Sequence, residues 1–216
     1  MSVGAALCRL YAARLRFMKI GVLAVQGDFQ AHADMLARLG VEPVLVKKAP
    51  EIREVAGLIL PGGESTTFLK FLDKEGLSAG IREAAADGKA LFGTCAGAIL
   101  LARRVENPAQ RSLGLLDITV LRNAYGRQVE SFIARGELRP SEPPLEMVFI
   151  RAPQIRVAGP EVEVLARCPR SRSNTPVFVR QGRVMATTFH PELTDDTRVH
   201  RYFLELASGK EQHLLP

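Results

Sequence analysis

Cys95 stands in the stretch Gly93-Thr94-Cys95-Ala96-Gly97, with apolar residues on both sides. A Gly-x-Cys-x-Gly turn that follows a strand and opens a helix is the thiol counterpart of the serine nucleophile elbow, where glycines permit a tight, strained turn. The positive end of the helix would favour the thiolate, and the N–H of Ala96 could help to hold an oxyanion. Free cysteine also packs in protein cores as a small apolar side chain. The stretch alone leaves both interpretations open.

A thiolate nucleophile needs a proton carrier, usually a histidine that a third group orients. His190 ends an apolar, strand-like segment and is followed by Pro191-Glu192, so the Glu192 carboxylate can reach back and fix the imidazole tautomer. Of the other three histidines, His32 is expected to have a structural role. His200 and His213 are expected to be exposed to solvent. A Cys95-His190-Glu192 triad is therefore geometrically feasible, provided that the strands that carry Cys95 and His190 lie side by side in the sheet.

The stretch Pro61-Gly62-Gly63-Glu64-Ser65 follows another apolar run. It is typical of a structural turn, but two successive glycines also let the backbone approach a ligand, and the N–H of Gly63 could supply a second oxyanion donor. No Lys-Ser/Thr pair follows at the spacing of a phosphate-binding loop. The sequence also lacks the CxxC and HExxH spacings, so no metal site is predicted.

These turns require strands to position them, and the hydrophobic pattern supplies strands and helices in alternation. Strands are predicted at 19–25, 44–47, 57–60 and 90–94, and helices at 28–39, 96–103 and 195–207. Alternation of this kind predicts a parallel sheet with helices on both faces, in which ligands bind at the carboxyl ends of the strands. Short β-type segments between about 117 and 190 predict a partly antiparallel extension of the same sheet. We therefore expect one α/β domain.

Composition and charge restrict the classes of protein to which the chain can belong. The chain has 216 residues, of which 47% are hydrophobic and 24% charged, which is typical of a globular protein with one sizeable core. The net charge of +6 comes from basic residues scattered among acids, with no Trp, so nucleic-acid binding is not favoured. Three widely spaced cysteines indicate a reducing cytoplasm, and no apolar run approaches the roughly 20 residues of a membrane span.

Residues 1–17 contain no acidic residue and are expected to be an extension that the working protein does not need. A transit peptide is the alternative.

Seven stretches spread over the chain from about 18 to 207 carry a family resemblance: VQGDFQAH (25–32), LPGGESTT (60–67), FGTCAGAILLA (92–102), LGLLDITVLRN (113–123), GRQVESF (126–132), FIRAP (149–153) and FHPELTDD (189–196). Together they resemble the glutaminase subunits of pyridoxal 5'-phosphate synthases (the PdxT/SNO family), which are class I glutamine amidotransferases with a catalytic triad. The resemblance implies a flavodoxin-like, three-layer α/β domain over 18–209, followed by a polar tail at 210–216.

The resemblance also implies the chemistry. Cys95 would attack the side-chain amide of L-glutamine, His190 would carry the proton, and Glu192 would orient His190. The implied oxyanion hole consists of Gly63 and Ala96, and the implied glutamine-binding residues are Gly63, Glu64, Ser65, Arg122, Ile150 and Arg151. Gln26 would lie at the junction with a (β/α)8-barrel synthase subunit, which receives the ammonia. No cofactor is implied.

Three alternatives remain at this stage. The chain could be a glutaminase that serves another acceptor, such as imidazole glycerol phosphate synthase, although GGEST, GRQ-x-ESF and FIRAP argue against this. It could be a docking module without catalysis, which the intact triad argues against. It could also be a cysteine hydrolase or stress protein of similar architecture.

Overall fold

The computed structural model describes residues 17–122, 131–138, 142–168 and 174–209. The helices are α1 (Phe29–Arg38), α2 (Ser65–Lys74), α3 (Leu77–Ala86), α4 (Ala96–Leu101) and α5 (Arg198–Ala207), with 3-10 turns at Ala49–Glu54 and Pro191–Leu193. The strands are β1 (Lys19–Leu23), β2 (Glu42–Val46), β3 (Gly57–Leu60), β4 (Ala90–Thr94), β5 (Ala102–Glu106), β6 (Leu116–Leu121), β7 (Ser131–Gly136), β8 (Leu145–Ile150), β9 (Gln154–Ala158), β10 (Glu163–Arg167), β11 (Pro176–Gln181) and β12 (Val184–Thr187). Most of the expected extension at 1–17, the tail at 210–216, His213 and most of GRQVESF lie outside the described residues.

Seven strands form the central sheet in the order β10-β11-β12-β4-β3-β1-β2. The neighbours from β12 to β2 all run parallel, while β11 runs antiparallel to both β10 and β12. Parallel neighbours need a crossover, and the helices between them provide it. The prediction of an α/β fold with a mostly parallel central sheet is confirmed.

The two faces of the sheet are separated by the alternation of side chains along each strand. In β3, Leu58 and Leu60 join the core under α2, α3 and α4, whereas Ile59 joins the core under α1 and α5. In β4, Leu91 and Phe92 divide in the same way. Because both faces are covered by helices, the central strands are buried throughout, and their sequences are continuously apolar.

The predicted antiparallel extension is divided among three sheets. Strands β10 and β11 extend the central sheet, but β5, β6 and β9 form a separate three-stranded sheet and β7 and β8 form a two-stranded ribbon. The helix predicted over 96–103 ends at Leu101, because Ala102 pairs with Leu116 and begins β5. In the part of the chain that the structure describes, every helix is too short or too polar to cross a membrane.

Candidate active site

A cavity of about 310 Å³ lies at the carboxyl edge of the central sheet. Four adjacent strands, β12, β4, β3 and β1, lead into the loops that carry the predicted motifs. Residues from all four of these loops line the cavity, and they include Asp28, Gly63, Cys95 and His190. The structure therefore brings together residues such as Gly63 and His190, which lie 127 positions apart in the sequence, as the position rule for open parallel sheets predicts.

Cys95 occupies a strained turn between β4 and α4. Its φ of 48° is in the left-handed region, which non-glycine residues adopt at a cost of about 1–3 kcal/mol. A Cβ at Gly97 would lie 2.0 Å from the carbonyl oxygen of Leu60, and a Cβ at Gly93 would lie 2.5 Å from the backbone of Gly97. The N–H of Cys95 donates to the Thr187 carbonyl at 2.9 Å, which ties the turn to the end of β12. Glycine at both positions is thus required for β4, α4 and β3 to pack this closely.

His190 is fixed from both sides. Its backbone N–H donates to the Val148 carbonyl of β8 at 2.8 Å, and its Nδ1 lies 2.7 Å from Oε1 of Glu192. Burial would lower the pKa of His190, but hydrogen bonds to Cys95 and Glu192 outweigh it and raise that pKa to about 10. Since Nδ1 is used by Glu192, the nitrogen that is left for the Cys95 thiol is Nε2. The geometry therefore favours an imidazolium beside the sulfur atom.

The Glu192 carboxylate is buried and ionised. Burial alone would raise its pKa, but the imidazoles of His32 and His190 that face it lower the pKa well below its usual range. The 3-10 turn that begins at Pro191 explains this position, because it turns the chain at once and brings Glu192 back beneath the His190 ring. Glu192 thus holds the ring orientation and stabilises its positive charge, as expected of the third member of a triad.

Two further histidines lie behind Glu192. Nε2 of His32 is 3.1 Å from Oγ1 of Thr94 and 3.4 Å from Oε1 of Glu192, and Nδ1 of His32 is 3.0 Å from Nε2 of His200. The prediction that His200 is solvated is wrong: the residue is fully buried, because its face of α5 packs against α1 and Phe92. Burial lowers the pKa of His200 to about 3.

The loop after β3 is packed tightly against the loop after β1. A Cβ at Gly27 would lie 1.9 Å from the carbonyl oxygen of Gly62. That carbonyl therefore points towards the β1 side, and in a trans peptide the N–H of Gly63 points the opposite way, towards β4. When the Gln26 amide is oriented to satisfy both of its atoms, it donates to the Glu64 carbonyl at 3.0 Å and accepts from the Glu64 N–H at 2.9 Å. Gln26 thereby holds this loop by its main chain.

Charged groups occupy the mouth of the cavity. Arg122 and Arg151 both line it, and Arg151 has a φ of 43°. Nη2 of Arg122 lies 3.4 Å from Oε1 of Glu64, and only 13% of the Arg122 side chain is exposed. Burial would raise the pKa of Glu64, but hydrogen bonds from Thr66 and Thr67 lower it to about 2. The Glu64 carboxylate thus caps α2 and pairs with Arg122, which leaves the guanidinium at the cavity wall.

Ser65 and Ile150, the remaining residues predicted to bind glutamine, also line the cavity, but the Ser65 hydroxyl is already hydrogen-bonded to another side chain. Oγ of Ser65 donates to Oε1 of Gln110 at 3.0 Å, and Ser65 is buried. The carbonyl of Ile150 lies 3.9 Å from Sγ of Cys95. Sequence reasoning missed Leu193, which also lines the cavity, and Asp28, whose place at the cavity mouth follows from its position two residues after Gln26.

Comparison with known proteins gives consistent results. A sequence model of the SNO glutamine amidotransferase family matches residues 22–208. The chain is 57% identical over 189 residues to the pyridoxal 5'-phosphate synthase subunit PdxT of Koribacter versatilis (88% of this chain, 95% of the relative). It is 51% identical over 190 residues to the PdxT subunit of Thermotoga maritima (88% and 99%).

Solved structures show the same fold. A crystal structure described as a glutamine amidotransferase is similar with a TM-score of 0.81 and 50% identity, covering 88% of this chain and 98% of its own. The structure of PurLQS from Thermotoga maritima is similar with a TM-score of 0.65 at 18% identity, covering 87% and 98%, and this likeness concerns the fold alone.

Proposed function

The chain belongs to the SNO glutamine amidotransferase family, and from that premise we propose that it is the glutaminase subunit of a pyridoxal 5'-phosphate synthase, with Cys95, His190 and Glu192 as its catalytic triad. The observation that carries the assignment of these residues is the position of the strained Cys95 turn beside an imidazole whose other nitrogen lies 2.7 Å from the buried Glu192 carboxylate. A histidine held in this way can both accept and return a proton at Nε2.

In the first half-reaction the Cys95 thiolate attacks the side-chain carbonyl carbon of L-glutamine. The carbonyl electron pair moves to oxygen, and the imidazolium of His190 gives its Nε2 proton to the amide nitrogen. The carbon–nitrogen bond then breaks, ammonia leaves, and a glutamyl thioester remains on Cys95. His190 is now neutral and ready to act as a base.

In the second half-reaction His190 takes a proton from water, and the hydroxide attacks the thioester carbon. The carbon–sulfur bond breaks, and glutamate leaves as the thiolate and the imidazolium form again. The N–H groups of Gly63 and Ala96 are proposed to hold the oxyanion in both steps. This assignment is supported by the direction of the Gly63 N–H towards β4 and by the position of Ala96, whose N–H has no intrahelical partner because it opens α4.

The mouth of the cavity is suited to the α-amino acid end of glutamine. A carboxylate pairs strongly with a guanidinium, so Arg122 and Arg151 are proposed to bind the α-carboxylate, with the backbone of Glu64 and Ile150 completing the contact. Ser65 is proposed to contribute through its main chain, because its hydroxyl already donates to Gln110. The side-chain amide of glutamine would then reach inwards to Cys95.

The partner proposed is the (β/α)8-barrel synthase subunit that uses the ammonia. Ammonia released into neutral water is mostly protonated and loses its nucleophilicity, so a shielded path to the acceptor is needed. Gln26 holds the Glu64 main chain next to the proposed oxyanion donor, and we propose that docking of the synthase near Gln26 completes the oxyanion hole. Cytoplasmic location is proposed as well, since the two cysteines among the described residues are free thiols.

The experiment measures ammonia release from L-glutamine by the purified chain, alone and co-purified with the synthase subunit that the same genome encodes. We expect release to require the synthase and to fall by more than about 10³-fold in Cys95→Ala. Cys168→Ala is the matched control, because Cys168 is equally free and buried but lies away from the cavity. Equal activity of the chain alone and in complex would overturn docking as the trigger, and glutaminase activity that survives in Cys95→Ala would overturn the nucleophile.

A further inference from the structure

The Glu192 carboxylate is held from behind as well as by His190. Oε1 faces Nδ1 of His190 at 2.7 Å and Nε2 of His32 at 3.4 Å, while Oε2 has no hydrogen-bond partner among the described residues. One carboxylate oxygen therefore takes both contacts. Behind Glu192, His32 on α1 faces the carboxylate directly, while Thr94 on β4 and His200 on α5 contact His32.

The buried nitrogen of His200 that lacks a partner determines how the protons are arranged. Within the described residues, Nδ1 of His200 has no hydrogen-bond partner, and a buried N–H without an acceptor is costly. His200 therefore carries its single proton on Nε2 and donates it to Nδ1 of His32 at 3.0 Å. With Nδ1 acting as an acceptor, neutral His32 must carry its proton on Nε2.

That proton points at the triad. The Nε2–H of His32 lies between Oγ1 of Thr94 and Oε1 of Glu192, and a lone pair in the same place would repel the carboxylate. The hydrogen bonds therefore run from His200 as donor to His32, and from His32 to Glu192. Their direction is set by Nδ1 of His200, which has no hydrogen-bond partner among the described residues.

We propose that His32 is a positioning residue of the glutaminase reaction, which fixes the Glu192 carboxylate through its Nε2–H while His200 fixes the His32 tautomer. The inference rests on the proposed function, because it assigns a role in that same reaction. His32 touches neither glutamine nor sulfur, and it acts through Glu192 on the orientation of the His190 ring.

Two substitutions separate this role from mere packing. In His32→Gln the amide nitrogen can replace Nε2 and still donate to Glu192, whereas His32→Asn places its amide near the Nδ1 position and leaves Glu192 without the second donor. We expect kcat to fall by about 10- to 100-fold in His32→Asn, the range for a lost hydrogen bond to a charged group, with KM for glutamine unchanged. In His32→Gln, kcat should stay within about threefold of the wild-type value.

The control is Leu36→Ala, one turn along α1, which leaves a cavity in the core and should lower the melting temperature with kcat unchanged. Wild-type glutaminase activity in the complex is measured first, so that failure of the proposed function is seen separately. Equal losses of kcat in the Gln and Asn variants, or a loss that tracks melting temperature across all three variants, would overturn the inference.

A measurement on the unaltered chain keeps the inference testable even when the variants do not fold. ¹⁵N NMR of histidine-labelled protein at pH 7 should show His32 and His200 both neutral and both protonated on Nε2. A His200 signal with the proton on Nδ1, or a His32 that is protonated on Nδ1 alone, would overturn the inference.

Discussion

Gly62 is the position where one added methyl group should separate activity from stability. A Cβ there would lie 2.4 Å from Cε1 and 3.1 Å from Nδ1 of His190, whereas carbon atoms pack at about 3.5–4.0 Å. The imidazole must therefore retreat by about 1 Å, which is enough to lengthen its 2.7 Å contact with Glu192 beyond hydrogen-bond distance. A misplacement of that size costs about 10²-fold in rate, or about 2.7 kcal/mol of transition-state stabilisation.

The assay is steady-state glutamine hydrolysis by Gly62→Ala in complex with the synthase, together with thermal unfolding of the chain alone. We expect kcat to fall by about 10²-fold while the protein still unfolds cooperatively. Gly80→Ala is the matched control: its Cβ in α3 would meet Ile52 at 3.2 Å, far from the cavity, and should leave kcat unchanged. If Gly62→Ala retained kcat within about threefold of wild type, the contact between this loop and His190 would not set the ring position.

Three more predictions follow from the same geometry. Arg122→Gln should raise KM for glutamine by about tenfold or more and change kcat little, since Arg122 lines the cavity mouth; steady-state kinetics with unchanged KM would contradict its binding role. Ser65→Ala should cost about 1 kcal/mol of stability and leave KM within about threefold, because the hydroxyl donates to Gln110; a large rise in KM would show that it binds substrate. The folded-state pKa of His190 lies near 10 against 6.5 unfolded, so its stabilising contribution is complete below pH 6.5 and is lost as pH rises to about 10. The difference in unfolding free energy between wild type and His190→Asn should shrink by up to about 1.4 kcal/mol per pH unit over that window, and a constant difference in urea titrations would contradict it.

Local patterns predict the parts of this site that depend on neighbouring residues. Strands β3 and β4 have the bounds that the apolar runs predict, because strands buried on both faces are continuously apolar. The end of α4 could not be predicted in this way. The residues after Leu101 include good helix formers, yet pairing of Ala102 with Leu116 turns them into β5, and such pairing overrides intrinsic propensity.

The burial of His200 was predictable in part. It precedes Phe203 by three residues and Leu204 by four, and both are buried, so helical spacing alone places it beside the apolar face of α5. It also contacts His32, which lies 168 residues away in the sequence. This contact arises because α1 and α5 cover the same face of the sheet. No local pattern carries that information, since it depends on the order of β1, β3 and β4 in the sheet.

The arrangement behind Glu192 explains why a charged carboxylate can lie beneath α1 and α5, the helices that cover one face of the central sheet. A buried ion is tolerated only where hydrogen bonds replace water. Here one oxygen is hydrogen-bonded to Nδ1 of His190 and faces Nε2 of His32 at 3.4 Å, and His32 is in turn held by a histidine that burial keeps neutral. If His200 were charged, its positive charge would also attract the Glu192 carboxylate from behind His32, and the pull of Glu192 on His190 would weaken. The neutral state of His200 therefore directs the negative charge of Glu192 towards the imidazole of His190, which connects the packing of α5 to the proton transfer proposed at Cys95.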